Sequence, residues 1–145
     1  MLALYYAKVE LKHEIAYLVN MCDSNTGSSV SHGLNAHIIT KQAQKLDIPI
    51  IQKGVERSSY EKGFKEVISK LKNEGITIGI FGDIYLQEHR DWIERVCLEM
   101  QITPIFPLWN KNTSDILAFF VNVGFKALTI SVNYNNLPES WLGRE

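Results

Sequence analysis

A short run of polar and charged residues in the second half of the chain has the residue types and spacing that catalysis uses. Gly82 lets the backbone turn or approach a ligand closely, and Asp83 directly after it can bind a metal, a hydroxyl or a helix end. Arg90 and Glu94 are four positions apart and so share one face of a helix, with His89 near the start of that helix. The functional interpretation is a polar cluster over the edge of a sheet. The structural alternative is a turn and an exposed ion pair worth about 0.3–0.5 kcal/mol.

His32 and Gly33 form a second candidate, at the end of a Ser-rich loop predicted over residues 22–31. A histidine that titrates near neutrality can transfer protons or contact a phosphate. The alternative is a solvated loop histidine without a function. Asn35, two positions further on, is a residue type that caps helices.

Familiar metal and phosphate motifs do not occur in the sequence. No CxxC, HExxH or HxH pattern is present, so no metal site is predicted. Cys22 and Cys97 are each expected to be a buried, inert thiol. Neither GxGxxG nor GxxxxGK[ST] is present, so a motif search alone does not indicate nucleotide binding.

Five apolar runs alternate with helical patterns along the chain. Strands are predicted at residues 14–21, 48–51, 76–81, 103–108 and 126–132, and helices at 1–9, 34–46, 58–73, 87–100 and 113–123. Such alternation is typical of an α/β layered fold with a mostly parallel sheet, here within a single domain over residues 1–145. Ligands of these folds bind at the carboxyl ends of the strands. The expected positions are 20–24, 52–54, 82–85, 107–109 and 131–134.

The predicted helices differ in their capping signals. The first has no Ser, Thr, Asp or Asn in front of it, which leaves its first N–H groups unsatisfied. Ser58 or Ser59 can cap the third helix, and Glu61 completes a capping-box pattern with Ser58. Thr113 or Ser114 can cap the last helix. The uncapped start suggests a segment upstream.

Composition excludes several classes of protein. With 46% hydrophobic and 21% charged residues, the 145-residue chain is not expected to be disordered. Fifteen Lys and Arg against sixteen Asp and Glu leave no basic excess for nucleic acid. No apolar stretch reaches the roughly 18 residues of a membrane span, and the N-terminus lacks the features of a signal peptide. We therefore expect a cytoplasmic protein that binds neither nucleic acid nor membrane.

Several segments resemble the diphthine–ammonia ligase family, a branch of the PP-loop, or N-type, ATP pyrophosphatases. They are YLVNM at 17–21, HGLNAHIITKQAQKLDIPI at 32–50, GITIGIFGDIYLQEHRDWIERVCLEM at 75–100, PIFPLWN at 104–110, GFKALTISVN at 124–133 and LPESWLGRE at 137–145. The most specific are the GDI–HR–W–E–VC run, the PLW strand end and the closing WLGR. The resemblance covers essentially the whole chain and is nearest to the bacterial branch.

The resemblance implies a Rossmann-like fold of the adenine nucleotide alpha hydrolase (HUP) type, with ATP, Mg²⁺ and AMP as ligands. A carboxylate attacks the α-phosphate of ATP and releases pyrophosphate, and ammonia then displaces AMP to form an amide. In well-studied members the carboxylate belongs to a modified histidine of translation elongation factor 2, so a protein substrate is expected. The catalytic candidates are Asp83, Arg90 and Glu94. The candidates for the adenosine side are Asn20, Met21, Cys22, His32, Gly33 and Gly82.

The sequence also departs from the family pattern. The signature Ser-Gly-Gly-Lys-Asp-Ser loop would lie directly before Met1, and a Gly-Glu-Asn-Gly-Glu-Phe stretch would follow Glu145. We therefore expect a domain that is incomplete at both ends, lacks its first central strand, and catalyses weakly or not at all as residues 1–145. Met1 is then either an internal methionine of a longer protein or the start of a genuine short paralogue.

A missing central strand would expose two inner strand edges. We expect the remaining strands to close up, or a second copy of the chain to fill the gap in a homo-oligomer. The alternative to an amide-forming ligase is a noncatalytic module that binds an adenine nucleotide or another protein.

Overall fold

The computed structural model describes all 145 residues, in two compact units, Met1–Trp109 and Asn110–Glu145. The first unit contains helix α1 (Leu2–Tyr5) with a π-helical turn (Tyr6–Glu10), strand β1 (Leu18–Asp23), α2 (Ala36–Leu46), β2 (Ile50–Val55), a 3₁₀ turn (Arg57–Ser59), α3 (Tyr60–Asn73), β3 (Ile78–Ile80), α4 (Gln87–Met100) and β4 (Thr103–Ile105). The second contains α5 (Thr113–Asn122) and a 3₁₀ turn (Glu139–Trp141). None of the helices has the length and apolar character needed to cross a membrane.

The strands pair in parallel, as a Rossmann-like α/β fold requires. β1 runs beside β2, with Leu18 opposite Ile50, and β3 runs beside β4, with Ile78 opposite Thr103. The predicted fold class is therefore confirmed. The four strands form two separate pairs and not one sheet, so the expectation that they close up within the chain was wrong.

The strand edges that face away from the partner strands differ between the two pairs. Alternate residues of a parallel strand bond to the same neighbour, and residues 77 and 81 bond to β4, so the backbone groups of Ile78 and Ile80 point away from it. On β1, the edge away from β2 is partly taken by the loop that follows the strand. Val30 N donates to Met21 O at 2.9 Å, and Asp23 N donates to the carbonyl of residue 28 at 2.8 Å. This loop satisfies part of the edge at which another strand would pair.

Helix α3 links the two pairs of strands. Its apolar face, predicted from helical spacing, packs on Met21 and Val55 through Val67 and Leu71. One turn nearer its start, the Phe64 ring lies 6.5 Å from that of Phe81 after β3 and 5.4 Å from that of Trp92 on α4. Because the core is built around α3, the position of this helix sets the geometry at the carboxyl ends of the strands.

The strand predicted at residues 126–132, in the second unit, was wrong. The segment has no strand ladder; Thr129 N donates to Arg144 O at 2.8 Å, and Gly143 N donates to Thr129 O at 2.9 Å. Leu128 and Ile130 are 62% and 54% exposed. The β-branched and apolar residue types suit a strand, but no neighbouring strand pairs with them.

Two asparagines supply the side-chain caps of the helices. Asn35 caps α2 as predicted, since its Oδ1 accepts from His37 N at 2.9 Å. The prediction for α5 was wrong by one residue: Asn112, and not Thr113 or Ser114, is the cap, with Oδ1 2.8 Å from Ser114 N. Each asparagine side chain accepts a hydrogen bond from a backbone N–H group that has no partner within the helix.

Candidate functional site

Tyr60 lies near the residues that follow the first three strands. It begins α3, shortly after β2, and its hydroxyl lies close enough to Ser31, in the loop after β1, for that side chain to lower its pKa. Asp83, just after β3, is close enough to act on it electrostatically. Burial raises the pKa of Tyr60, the charge of Asp83 adds to the rise, and Ser31 opposes it. Residues that follow β1, β2 and β3 therefore lie close enough together to interact at Tyr60.

Asp83 and His89 form a hydrogen-bonded pair at this point. Oδ1 of Asp83 bonds to Nδ1 of His89; the carboxylate side chain is 15% exposed and the imidazole 49%. The imidazole also stacks on Trp92, with the ring centroids 6.0 Å apart and an interplanar angle of 3°. The ring is thus held along one edge and one face. Its Nε2 has no hydrogen-bond partner.

Trp92 is itself fixed, through Glu61 at the start of α3. The indole N–H donates to Glu61 Oε2 at 2.9 Å, and the same carboxylate accepts from Arg95 and Lys65, each at 2.6 Å. Hydrogen bonds from Arg95, Lys65 and Trp92, in that order of effect, hold the pKa of Glu61 well below its usual range. The capping box predicted for Ser58 and Glu61 was wrong, since the Glu61 carboxylate accepts from Trp92, Arg95 and Lys65 instead. Ser59, the other predicted cap, is the N-cap residue of α3 but makes no side-chain bond to the helix.

Arg90 forms the second half of the site, at the carboxyl end of β4. Its Nε donates to Glu94 Oε1 at 2.7 Å, so the pairing expected from the four-residue spacing is present. Its guanidinium carbon lies 4.9 Å from the ring centroid of Phe106 and 4.6 Å from that of Trp109. Contacts of this kind contribute about 0.5–1 kcal/mol each at exposed sites. The terminal amino groups of Arg90 have no hydrogen bond to the protein, and a guanidinium with free amino groups can bind a carboxylate or phosphate through two parallel bonds.

The predicted adenosine-side residues of β1 lie at its carboxyl half, but their side chains are engaged within the protein. The Met21 side chain is in the core around α3. Asn20 Nδ2 donates to Gln52 Oε1 at 3.2 Å, and Cys22 Sγ lies 3.2 Å from the same oxygen. Burial raises the pKa of the Cys22 thiol, so it is held as a neutral group.

The turn at His32 and Gly33 is open to solvent. Gly33 has φ +64°, a conformation that favours glycine, and a Cβ added there would meet nothing within 4 Å. His32 is exposed. Nearby, Ser29 is buried and its hydroxyl has no hydrogen-bond partner. An unpaired buried hydroxyl is uncommon in folded proteins.

Gly82, at the carboxyl end of β3, lies close to the first helix. A Cβ added at Gly82 would lie 3.6 Å from the Ala3 side chain, within ordinary contact distance. The start of α1 therefore lies beside Gly82 and Asp83, at the same edge of the strands as the Asp83–His89 pair.

Of the residues predicted from the sequence, Asp83 lies just after β3 and bonds to His89, and Arg90 pairs with Glu94 on α4. The structure adds four aromatic side chains that sequence reasoning did not select. These are Tyr60, Trp92, Phe106 and Trp109. Trp109 falls within the expected strand-end positions, and the position of Tyr60 just after β2 offered a similar signal. The three-residue spacing of His89 and Trp92 on the predicted helix offered a signal for their contact. No pattern in the sequence indicated that Phe106 would contact Arg90.

Comparison with known proteins places the chain in a family. Residues 1–104 match the family model described as diphthamide synthase N-terminal domain, and the chain belongs to this family. Among named proteins, it is 25% identical to diphthine–ammonia ligase from Mus musculus over 161 residues, and 24% identical to that from Bos taurus over 157 residues. Each match covers 91% of this chain and 58% of the relative. The chain therefore spans less than two thirds of the length of these relatives.

Proposed function

We propose that this chain is part of an ATP-dependent amide-forming ligase of the diphthine–ammonia ligase type. The observation that carries the proposal is that two polar groups lie at carboxyl ends of strands: the Asp83–His89 pair follows β3, and Arg90, paired with Glu94, stacks on two rings that follow β4. Family membership gives these polar groups their chemistry. The relatives are named for diphthine and ammonia, and we propose a protein-borne carboxylate of the diphthine class as the acceptor.

The proposed reaction has two steps that balance. A carboxylate oxygen attacks the α-phosphorus of ATP, a new O–P bond forms, and the bond to pyrophosphate breaks. The nitrogen of ammonia then attacks the acyl carbon, the C–O bond to AMP breaks with its electron pair on the phosphate oxygen, and one proton leaves the nitrogen. The products are an amide, AMP and pyrophosphate.

The proposed roles follow from the contacts. Arg90 binds the acceptor carboxylate or the phosphate attached to it, because its amino groups are free and its plane is fixed by two aromatic rings. Glu94 orients Arg90 through Nε. The adenosine side is assigned to the backbone along Asn20, Met21 and Cys22 and to the exposed turns at His32, Gly33 and Gly82.

Mg²⁺ is expected with ATP from the family resemblance, but the side chains do not form a metal cage. No group of three or more His, Cys, Asp or Glu residues is placed to hold a metal ion. Mg²⁺ in nucleotide enzymes is often held by the phosphates with one or two carboxylates. We therefore assign no residue to Mg²⁺ and no reaction step to it.

The test measures ligand binding and turnover on the product of the whole reading frame that contains these residues, beside residues 1–145 alone. ATP and AMP binding is followed by calorimetry, and AMP release is followed with ammonia and an elongation factor 2 that carries diphthine. We expect ATP binding and ammonia-dependent AMP release from the whole product, and at most nucleotide binding from residues 1–145. If the whole product binds no ATP, the proposal fails.

A noncatalytic interaction module is the second candidate, and a feature of the second unit favours it. Leu117, Val121, Leu128 and Ile130 are each more than half exposed, and large exposed apolar groups often mark surfaces that bind other proteins. This candidate predicts binding of AMP or of a protein, without AMP release under any of the assay conditions above.

A further inference from the structure

We infer that His89, oriented by Asp83, is the base that takes the proton from the attacking ammonia. This inference rests on the proposed function and assigns a step that the function leaves open. Amide formation from an acyl-adenylate releases one proton from the nitrogen nucleophile. At neutral pH most ammonia in solution is ammonium, which must lose a proton before it can attack at all. A base near the acyl carbon serves both needs.

The contacts of His89 fix which nitrogen can act. A carboxylate only accepts hydrogen bonds, so the bond between Asp83 Oδ1 and His89 Nδ1 places the hydrogen on Nδ1. In the neutral ring Nε2 then carries the lone pair, and it has no protein partner. Trp92 holds the ring plane, at an interplanar angle of 3°. The imidazole is thus positioned, in one tautomer, with its basic atom free.

The groups that contact the imidazole are few. Asp83, before α4, bonds to Nδ1, and the ring stacks on Trp92, whose indole N–H donates to Glu61 at the start of α3. Glu88 and Arg90 are its neighbours along α4. Imidazole is the side chain that most often transfers protons in enzymes.

The location of His89 agrees with this role. His89 and Arg90 are adjacent in the first turn of α4, and we have assigned Arg90 to the acceptor carboxylate. A group bound by Arg90 would therefore lie at the same N-terminal end of α4 as His89. Asp83 is a positioning residue in this scheme, since it acts through the imidazole.

The test compares two nucleophiles in His89→Gln. Hydroxylamine is mostly neutral at pH 7 and needs no deprotonation before attack, and the proton that its nitrogen loses afterwards can pass to water. Hydroxamate formation therefore reports mainly the adenylate. Ammonia-dependent amide formation also requires the base. The probe substrates are ATP and a diphthine-bearing elongation factor 2, with the whole gene product as the enzyme. We expect amide formation to fall by about 10²–10⁴-fold, while hydroxamate formation stays close to that of the unsubstituted protein.

His37→Gln is the matched control, because His37 also lies exposed in the first turn of a helix but has no carboxylate partner. It should leave both products unchanged. Asp83→Asn should lower amide formation mainly through kcat and leave hydroxamate formation in place. Equal losses of both products in His89→Gln, or no loss of amide, would overturn the inference.

A second readout does not depend on turnover. Long-range ¹H–¹⁵N spectra of residues 1–145 distinguish the two neutral tautomers of each histidine. We expect His89 to carry its hydrogen on Nδ1, and Asp83→Asn to populate the Nε2–H form. An Nε2–H tautomer in the unsubstituted chain contradicts the inference. Absence of hydroxamate from the unsubstituted enzyme refutes the proposed function itself, and with it the catalytic role, whereas loss of amide alone concerns only His89.

Discussion

Gly63 of α3 packs directly against Val55 of β2, and Gly63→Ala tests whether this packing sets the geometry of the site. A Cβ at Gly63 would lie 2.3 Å from Val55 Cγ1, whereas ordinary contact begins near 3.4 Å. The two atoms must therefore separate by about 1 Å. Val55 is buried and β-branched, so its methyl group has little freedom to move. Tyr60 lies one helical turn earlier, so a shift of α3 also moves the hydroxyl that approaches Asp83.

The expected magnitude follows from two opposing effects. Forcing an extra methyl into a packed core costs about 1–3 kcal/mol. Replacing glycine by alanine inside a helix gains about 1 kcal/mol. The clash is severe, so we expect Gly63→Ala to lower the free energy of unfolding by about 1–2 kcal/mol, which corresponds to roughly 2–4 °C in Tm per kcal/mol.

The assay is urea unfolding followed by circular dichroism, in a double-mutant cycle with Val55→Ala. With the Val55 methyl groups removed, the helix-propensity gain is expected to dominate. Gly63→Ala should then stabilise the Val55→Ala background by about 0.5–1 kcal/mol. The reasoning is refuted if Gly63→Ala has the same sign and size in both backgrounds.

Two further predictions concern Arg90 and Cys97. Arg90→Lys keeps the positive charge but loses the planar stack on Trp109. We therefore expect a stable acyl-adenylate analogue to bind about tenfold more weakly by calorimetry, with Arg95→Lys as the control. Equal affinities of the two variants would argue against the role assigned to Arg90. Burial raises the pKa of Cys97 to about 11 in the folded protein. As pH rises, the Cys97 thiol therefore loses its proton in the unfolded state before it does so in the folded state. The free energy of unfolding should fall as pH rises from about 9 to 11. Cys97→Ala should remove that part of the pH dependence, and parallel stability curves for the two proteins would contradict this.

Helix α4 shows what the sequence could predict. Its observed bounds equal the predicted residues 87–100, because apolar side chains at helical spacing, including Ile93 and Val96, define a buried face. The pairing of Arg90 with Glu94 was predictable for the same reason, since it depends only on helical spacing. Local periodicity was enough for these features.

β2 shows where local pattern was insufficient. The strand was predicted at residues 48–51 and is found at Ile50–Val55. Gln52 interrupts the apolar run, but its side chain donates to Thr40 Oγ1 at 2.5 Å and to Ala36 O at 3.1 Å. A polar residue inside a strand is stable there because α2 supplies partners, and no feature of the local sequence shows them.

The candidate site was predictable in part. Asp83 follows from the rule that ligands bind at the carboxyl ends of parallel strands. The contact of Tyr60 with Ser31, and the stacking of Arg90 on Phe106, join segments that only the tertiary fold brings together. Sequence reasoning therefore gave the edge of the strands at which the site lies, but not the aromatic residues that hold its polar groups.

The most direct test of the central claim is the stoichiometry of ammonia-dependent turnover by the whole gene product. ATP and a diphthine-bearing elongation factor 2 are supplied with and without ammonia, and AMP and amide are quantified together. The proposed ligase, in which Asp83 and Arg90 lie at the carboxyl ends of strands, predicts one AMP for each amide, with amide only when ammonia is present. Binding of nucleotide without any AMP release would contradict the ligase and leave the noncatalytic module as the function.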